Sequence, residues 1–211
     1  MEPSEQIVEA RERKEGGQTK GEKFDDRVAL TIAVMALLLA ITSLGGGNAA
    51  EDIMNHNIHA SDTWAFYQAK TIRQTSNKLA AETLEAQLQM SGGSLTPEAR
   101  AGIERQIEGY RKTVERYEDE PDKDDPQNTL KGEGRKQLTA RARDFEAQRD
   151  RAQKQDPNFD FSEALFQIAI VLASVAILAN SRMILKVSVV VGLLATFLML
   201  NGYFLFFDLP L

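Results

Sequence analysis

What most restricts the fold of this chain is where its apolar residues stand. They gather in three blocks, at residues 28–44, 161–179 and 183–207, while charged residues fill the interval between the first block and the second. About 20 apolar residues, rising 1.5 Å each, cross a hydrocarbon core of roughly 30 Å. The second and third blocks approach or exceed that length. The first, VALTIAVMALLLAITSL, approaches it when part of the following GGGNAA is counted. All-apolar helices could alternatively sit in a protein core, but a chain of 211 residues has no core large enough to surround them. A chain-wide mean hydropathy below zero would by itself describe a soluble protein. The segregation of charge from apolar residues describes a membrane protein instead.

The organisation expected from this pattern begins with a charged, partly disordered segment over 1–27. The disorder covers the first 23 residues, where Gly16-Gly17 lies among mixed charges. A first span over 28–47, an extramembrane helical domain over 48–160, spans over 161–180 and 183–207, and a short tail over 208–211 complete the chain. A cleaved signal peptide is the alternative for the first block, since Asn48-Ala49-Ala50 resembles a cleavage site. The preceding segment, however, is long and carries eight acidic residues, unlike a short basic leader.

Basic residues near the span ends set the orientation. Lys20, Lys23 and Arg27 precede the first span, and the next cation after it is Lys70. Arg182 lies in the loop between the last two spans, with Lys186 one turn further on, and the tail after Phe207 has no basic residue. These cues place the N-terminus and the short loop in the cytoplasm, and the C-terminus and helical domain outside. Arg149, Arg151 and Lys154 argue the other way, but domains longer than about 60 residues cross largely regardless of charge. Within the spans, Gln167, Ser174, Ser188 and Asn201 could line a solute pathway. Hydrogen bonding between helices is the favoured reading, with close approach at Ser188-x-x-x-Gly192 and Ala36-x-x-x-Ala40. No Asp, Glu, Lys or Arg stands at mid-membrane to mark an ion route.

Residues 51–90 contain neither proline nor glycine and read as one helix about 60 Å long. Its inward stripe is expected at Ile58, Ala65, Ala69, Ile72, Ser76, Leu79, Thr83, Ala86 and Met90, where the spacing alternates three and four. Ser91-Gly92-Gly93-Ser94 is a turn. Thr96 then caps a second helix with Pro97 at its first position, and Ile103, Ile107, Tyr110, Val114 and Tyr117 form its seam. Residues 118–127, acidic and carrying Pro121 and Pro126, read as an exposed loop. A third helix over about 134–155 presents Leu138, Ala142, Phe145 and Ala152 on one face, and Asp156-Pro157 is expected to break it. The fold class is thus an all-α membrane protein with three transmembrane helices and an extramembrane antiparallel helical hairpin or coiled-coil-like bundle. Its thin seams predict self-association.

Signals for chemistry are sparse. Without cysteine the chain has no disulfide, thiolate nucleophile or Cys-ligated metal. Its net charge of -6 argues against nucleic acid. His56 and His59, three residues apart on a helix, are metal-ligand candidates with Glu51 or Asp62 nearby, but His-x-x-His alone is a weak signal and rim histidines are the plainer reading. Asp122, Asp124 and Asp125 lack EF-hand spacing. No phosphate loop, dinucleotide glycine pattern or nucleophile elbow occurs. No enzyme activity and no cofactor are expected.

The string ASDTWAFYQAKTIR at residues 60–73 resembles the bacterial membrane proteins of domain-of-unknown-function family 4337. The resemblance extends through the first span, the Trp-Ala-x-Tyr-Gln-Ala-Lys helix, the charged helices and the closing pair of spans. The spans and their orientation are expected to place the chain as a multi-pass protein in the inner membrane, with the helical domain in the periplasm if the cell is Gram-negative; the resemblance implies a bacterial membrane protein and supplies no activity. It is compatible with Trp64, Tyr67, Gln68 and Lys70 forming a packing or partner-binding surface. The role expected is non-enzymatic assembly, as a scaffold or accessory subunit in the lipid bilayer, with copies of itself or with a larger membrane complex. The alternatives are a transporter or channel component, through Gln167 and Asn201, and a metal-binding membrane protein, through His56 and His59.

Overall fold

The computed structural model describes residues 20–209, with side chains from Lys23 onward. The expectation of disorder for the first 23 residues therefore lies largely outside the described residues, but from Lys20 the chain is already helical. Four helices follow in order: α1 (Lys20–Met90), α2 (Pro97–Glu118), α3 (Arg135–Leu178) and α4 (Arg182–Phe204). No strand occurs among the described residues. The chain divides into two compact units, Met1–Ala50 with Gln153–Leu211, and Glu51–Ala152.

The first unit holds the apolar stretches of α1, α3 and α4, and each of these helices is long and apolar enough to cross a membrane. Their meeting faces are built from small residues and two packing clusters. Met35, Phe166, Ala169, Ala195 and Met199 form one cluster, and Phe24, Val28 and Ala173 form the other. The outward faces stay apolar, with Leu30, Leu37, Val171, Leu193 and Phe204 exposed, as a lipid-facing surface requires. Gly45-Gly46-Gly47 does not end α1. A Cβ on Gly45 or Gly202 would stand 2.6 or 2.8 Å from ring carbons of Phe159, so the missing side chains make room for that aromatic ring. Gly192 leaves space for Met35 in the same way. Ala36 and Ala40, by contrast, are exposed. The expected close approach on α1 falls at Met35 instead, where Ser188 and Gly192 of α4 are both buried.

Asp156-Pro157 does not break α3, which continues through it. A proline inside a helix costs about 3 kcal/mol through a lost hydrogen bond and a ring clash. Packing immediately beyond it outweighs that cost. Phe159 is buried against Gly45, Gly202 and Tyr203, the last edge-on at 4.9 Å. The fully buried Asn158 accepts a hydrogen bond from Asn201 at 2.7 Å and donates to the Lys154 carbonyl at 2.8 Å.

In the second unit the inward face of α1 is not the one expected. Buried Ala60, Thr63, Lys70 and Ala81 and half-buried His56, Tyr67, Gln74, Asn77, Leu84 and Leu88 recur on one face, again at alternating three and four. The expected stripe lies two residues away, about 200° round the helix, and Ile58, Ile72, Leu79 and Met90 are 49%, 67%, 62% and 79% exposed. The polar face turns inward because α2, α3 and their connecting loop present charged partners to it. On α2, Ile107 is buried and its expected seam neighbours are half-buried. On α3, Leu138, Ala142 and Ala152 are buried. Thr96 caps α2 by accepting from the Ala99 amide at 3.3 Å.

The loop after α2 runs to residue 134 and folds back on itself. The Glu133 amide donates to the Glu120 carbonyl at 2.9 Å, and Arg141 donates to the carbonyls of Leu130 and Gly132. Gly132 has φ +92°, and a Cβ there would run into the Glu120–Pro121 backbone. Only glycine meets both conditions.

Candidate functional site

The Trp-Ala-Phe-Tyr-Gln-Ala-Lys segment supplies the centre of the second unit. Trp64, Tyr67 and Lys70 are spaced three apart and so share one helix face; Gln74 continues it. Lys70 is 3% exposed. Its ammonium donates to Glu120 Oε2 at 2.9 Å and lies 3.7 Å from Glu133 Oε2. It also stands 5.6 Å from the Phe66 ring centroid and 5.5 Å from that of Tyr117. Burying an ammonium is costly unless charge and hydrogen bonds compensate it. Here two carboxylates and two aromatic faces do so.

Beside it, Arg135 at the start of α3 donates from Nη2 to the Tyr67 hydroxyl at 2.6 Å and from Nη1 to Glu118 Oε2 at 2.8 Å and to Gln74. Its guanidinium lies 4.9 Å from the Tyr67 ring centroid. Gln74 donates to the Val114 carbonyl and to Glu118. Tyr67 meets Trp64 edge-on at 5.5 Å, and the indole N–H of Trp64 donates to Glu146 at 2.9 Å. The segment thereby ties α1 to α2, to the loop and to α3. Gln137, which is 5% exposed, completes the loop attachment: its amide donates to Asp119 and accepts from the Glu120 N–H. Hydrogen bonding from Gln137, then from Lys136, holds the Asp119 carboxyl below the usual carboxylate range. Lys131 does the same to Asp125, which in turn raises Lys131.

Of the four surface candidates, Trp64, Tyr67 and Lys70 are therefore occupied inside this unit, while Gln68 is exposed. Sequence reasoning missed Glu118, Glu120, Arg135 and Glu146. The only sequence signal for the three glutamates is that the lysine, amide and indole donors of this helix face need acceptors, which stand 44 to 82 residues away; nothing local marks the donor Arg135. Both metal candidates stack on the Phe145 ring, His56 at 6.2 Å and His59 at 5.2 Å. His56 Nδ1 is buried without a hydrogen-bond partner. No group of three His, Cys, Asp or Glu side chains placed to hold a metal occurs among the described residues. Asp122 Oδ1 accepts from the amides of Asp124 and Asp125.

In the apolar unit, Ser188 donates to the Ala169 carbonyl at 2.6 Å. Asn201 donates to Asn158 and to the Phe207 carbonyl, and accepts from the Phe207 amide. Both are thus engaged in packing. Gln167 and Ser174 bond within their own helix.

A family model described as Domain of unknown function (DUF4337) matches residues 24–205. No curated protein and no solved structure matches the chain.

Proposed function

Since the chain belongs to the DUF4337 family, whose description assigns no activity, we propose its role from its own geometry: a non-enzymatic membrane protein that pairs with a second copy of itself. The pairing surface is the outer stripe of α1. The observation that carries this reading is the exposure of Ile58, Ile72, Leu79 and Met90 at heptad-compatible spacing. Ala65, Ser76, Thr83 and Ala86 lie on the same stripe and are small enough to let another helix approach. A stripe that faces the same stripe on a second copy is self-complementary, as a two-fold interface requires. The polar interior around Lys70 keeps the unit folded while leaving this apolar face outward. Within the unit, Glu85 pairs with Arg111 and Gln74 bonds Val114 and Glu118, an order that supports an antiparallel α1–α2 pair. The three apolar helices span the bacterial inner membrane, with Lys23, Arg27 and Arg182 on the cytoplasmic side and the helical unit in the periplasm.

The absence of cysteine makes the test clean. Single substitutions Ile58→Cys, Ile72→Cys, Leu79→Cys and Met90→Cys are oxidised in native membranes. Disulfide dimers at these positions, with none at the inward Asn77→Cys, are expected. Monomers throughout, together with a monomeric native mass in mild detergent, would refute the pairing. Labelling of Leu79→Cys by a membrane-impermeant maleimide on spheroplasts reads the orientation separately.

A further inference from the structure

At one end of the apolar unit four cations surround a single cleft. Lys23 and Arg27 are one turn apart on α1, and Arg182 and Lys186 are one turn apart at the start of α4. With Phe24 and Leu185 they line a space of about 520 Å³. None of the four forms an ion pair with a described residue: every such pair involves other cations. Asp25 and Asp26 occupy the same turns of α1 but do not line the cleft. Four like charges around one space repel each other, so their arrangement favours an anion that sits among them. Beneath them lies apolar packing, where Phe24 and Val28 are buried with Leu185 against them.

A second observation says what kind of anion. One turn further along α1 and α4, the same two helices line an apolar groove with Phe166 of α3. Leu30, Val34 and Leu38 line one wall; Val189, Leu193 and Thr196 line the other, around about 310 Å³. Leu30 follows Arg27 by three residues, and Val189 follows Lys186 by three. Each wall of the groove thus begins one turn from the cleft on the same helix face. A polyvalent basic site followed one turn further along the same two helices by an apolar groove is complementary to a phosphate group carrying a hydrocarbon chain. We propose that this α1–α4 seam binds an anionic phospholipid, its headgroup phosphate among Lys23, Arg27, Arg182 and Lys186 and one acyl chain along the groove. The start of α4 adds the positive end of a helix to the same space. The site belongs to the leaflet that the basic residues face, and it gives the protein a preference among lipids as well as an anchor. This inference rests on the three apolar helices spanning the membrane, which alkaline carbonate extraction of the same membranes reads independently.

The test is native mass spectrometry of the delipidated full-length protein, titrated with phosphatidylglycerol, cardiolipin or phosphatidylcholine. The anionic lipids are expected to bind at least about tenfold tighter than phosphatidylcholine. Arg27→Gln with Arg182→Gln removes two charges at about 1 kcal/mol each and should weaken anionic binding roughly thirtyfold. Arg27→Lys with Arg182→Lys, which keeps the charge, should retain most of it. Leu193→Trp fills the groove and should weaken cardiolipin binding without changing that of a headgroup analogue lacking acyl chains, glycerol phosphate. Equal binding of all three lipids, or an anionic preference unchanged by the double glutamine variant, would overturn the proposal. So would inorganic phosphate displacing the lipid at equal concentration, since the site would then read phosphate alone. If the double glutamine variant is not recovered from membranes, the lysine pair and Leu193→Trp still decide.

Discussion

Replacing Lys70 with methionine tests whether the ammonium holds the second unit together. Methionine keeps an unbranched side chain of similar length and removes the charge together with its hydrogen-bond donors, so packing is largely conserved. A hydrogen bond to a charged group contributes about 1.5–3 kcal/mol, and each cation–π contact about 0.5–1 kcal/mol where water still reaches it. Breaking a fully buried pair costs about 3–5 kcal/mol, but Glu120 and Glu133 are 34% and 68% exposed and regain water once released. Methionine also recovers some apolar contact with Phe66 and Tyr117. The net expectation is a loss of about 1.5–2.5 kcal/mol. The assay is urea unfolding in mild detergent followed by tryptophan fluorescence, because the single tryptophan lies in this unit and donates to Glu146. Glu120→Gln should cost little once Lys70 is methionine, giving a coupling of about 1–2 kcal/mol between the two sites. A shift within the ordinary surface range of about 0.5 kcal/mol, or strict additivity of the two changes, would refute the argument that Lys70 is a compensated buried charge.

Gly202→Ala should lower the stability of the apolar unit by about 1–3 kcal/mol through collision with Phe159, and Phe159→Leu should relieve it; thermal unfolding in detergent reads both. Gly132→Ala meets a positive φ and the Glu120–Pro121 backbone together, whereas Gly93→Ala meets a positive φ in open space. The first should cost about 1–3 kcal/mol more than the second and speed proteolysis of the loop, and equal effects would contradict the loop geometry. The lowered Asp119 contributes stability that is present above its unfolded value and lost as pH falls through its folded one. A carboxyl-carbon NMR titration should therefore place Asp119 below 3.8, and Gln137→Ala should raise its midpoint.

The residues reveal unequal amounts of this structure. Three apolar stretches were legible because membrane-compatible length and the absence of charge are properties of contiguous chain. Thr96 and Pro97 were legible as a helix start for the same reason: their partners lie within three residues. The inward positions of α2 and α3 followed from periodicity because each helix has one apolar stripe. On α1 periodicity offered two stripes, one aliphatic and one polar, about half a turn apart. The rule that apolar residues face inward selected the wrong one, because only the folded unit brings Glu118, Glu120, Arg135 and Glu146 to the polar face. Pro157 was misread for a related reason. Its local preference is real, but Phe159 and Asn158 gain partners on α1 and α4 that outweigh it. The sequence by itself determined most of the helical stretches, though not their continuity through Pro157, and which of them can enter a membrane, since both depend largely on neighbours along the chain. Tertiary structure alone decided which face of α1 is buried, that Lys70 is an internal cation, and that Lys23, Arg27, Arg182 and Lys186 share one cleft. Each of those depends on charges and side chains brought together from distant positions, and no local preference encodes them.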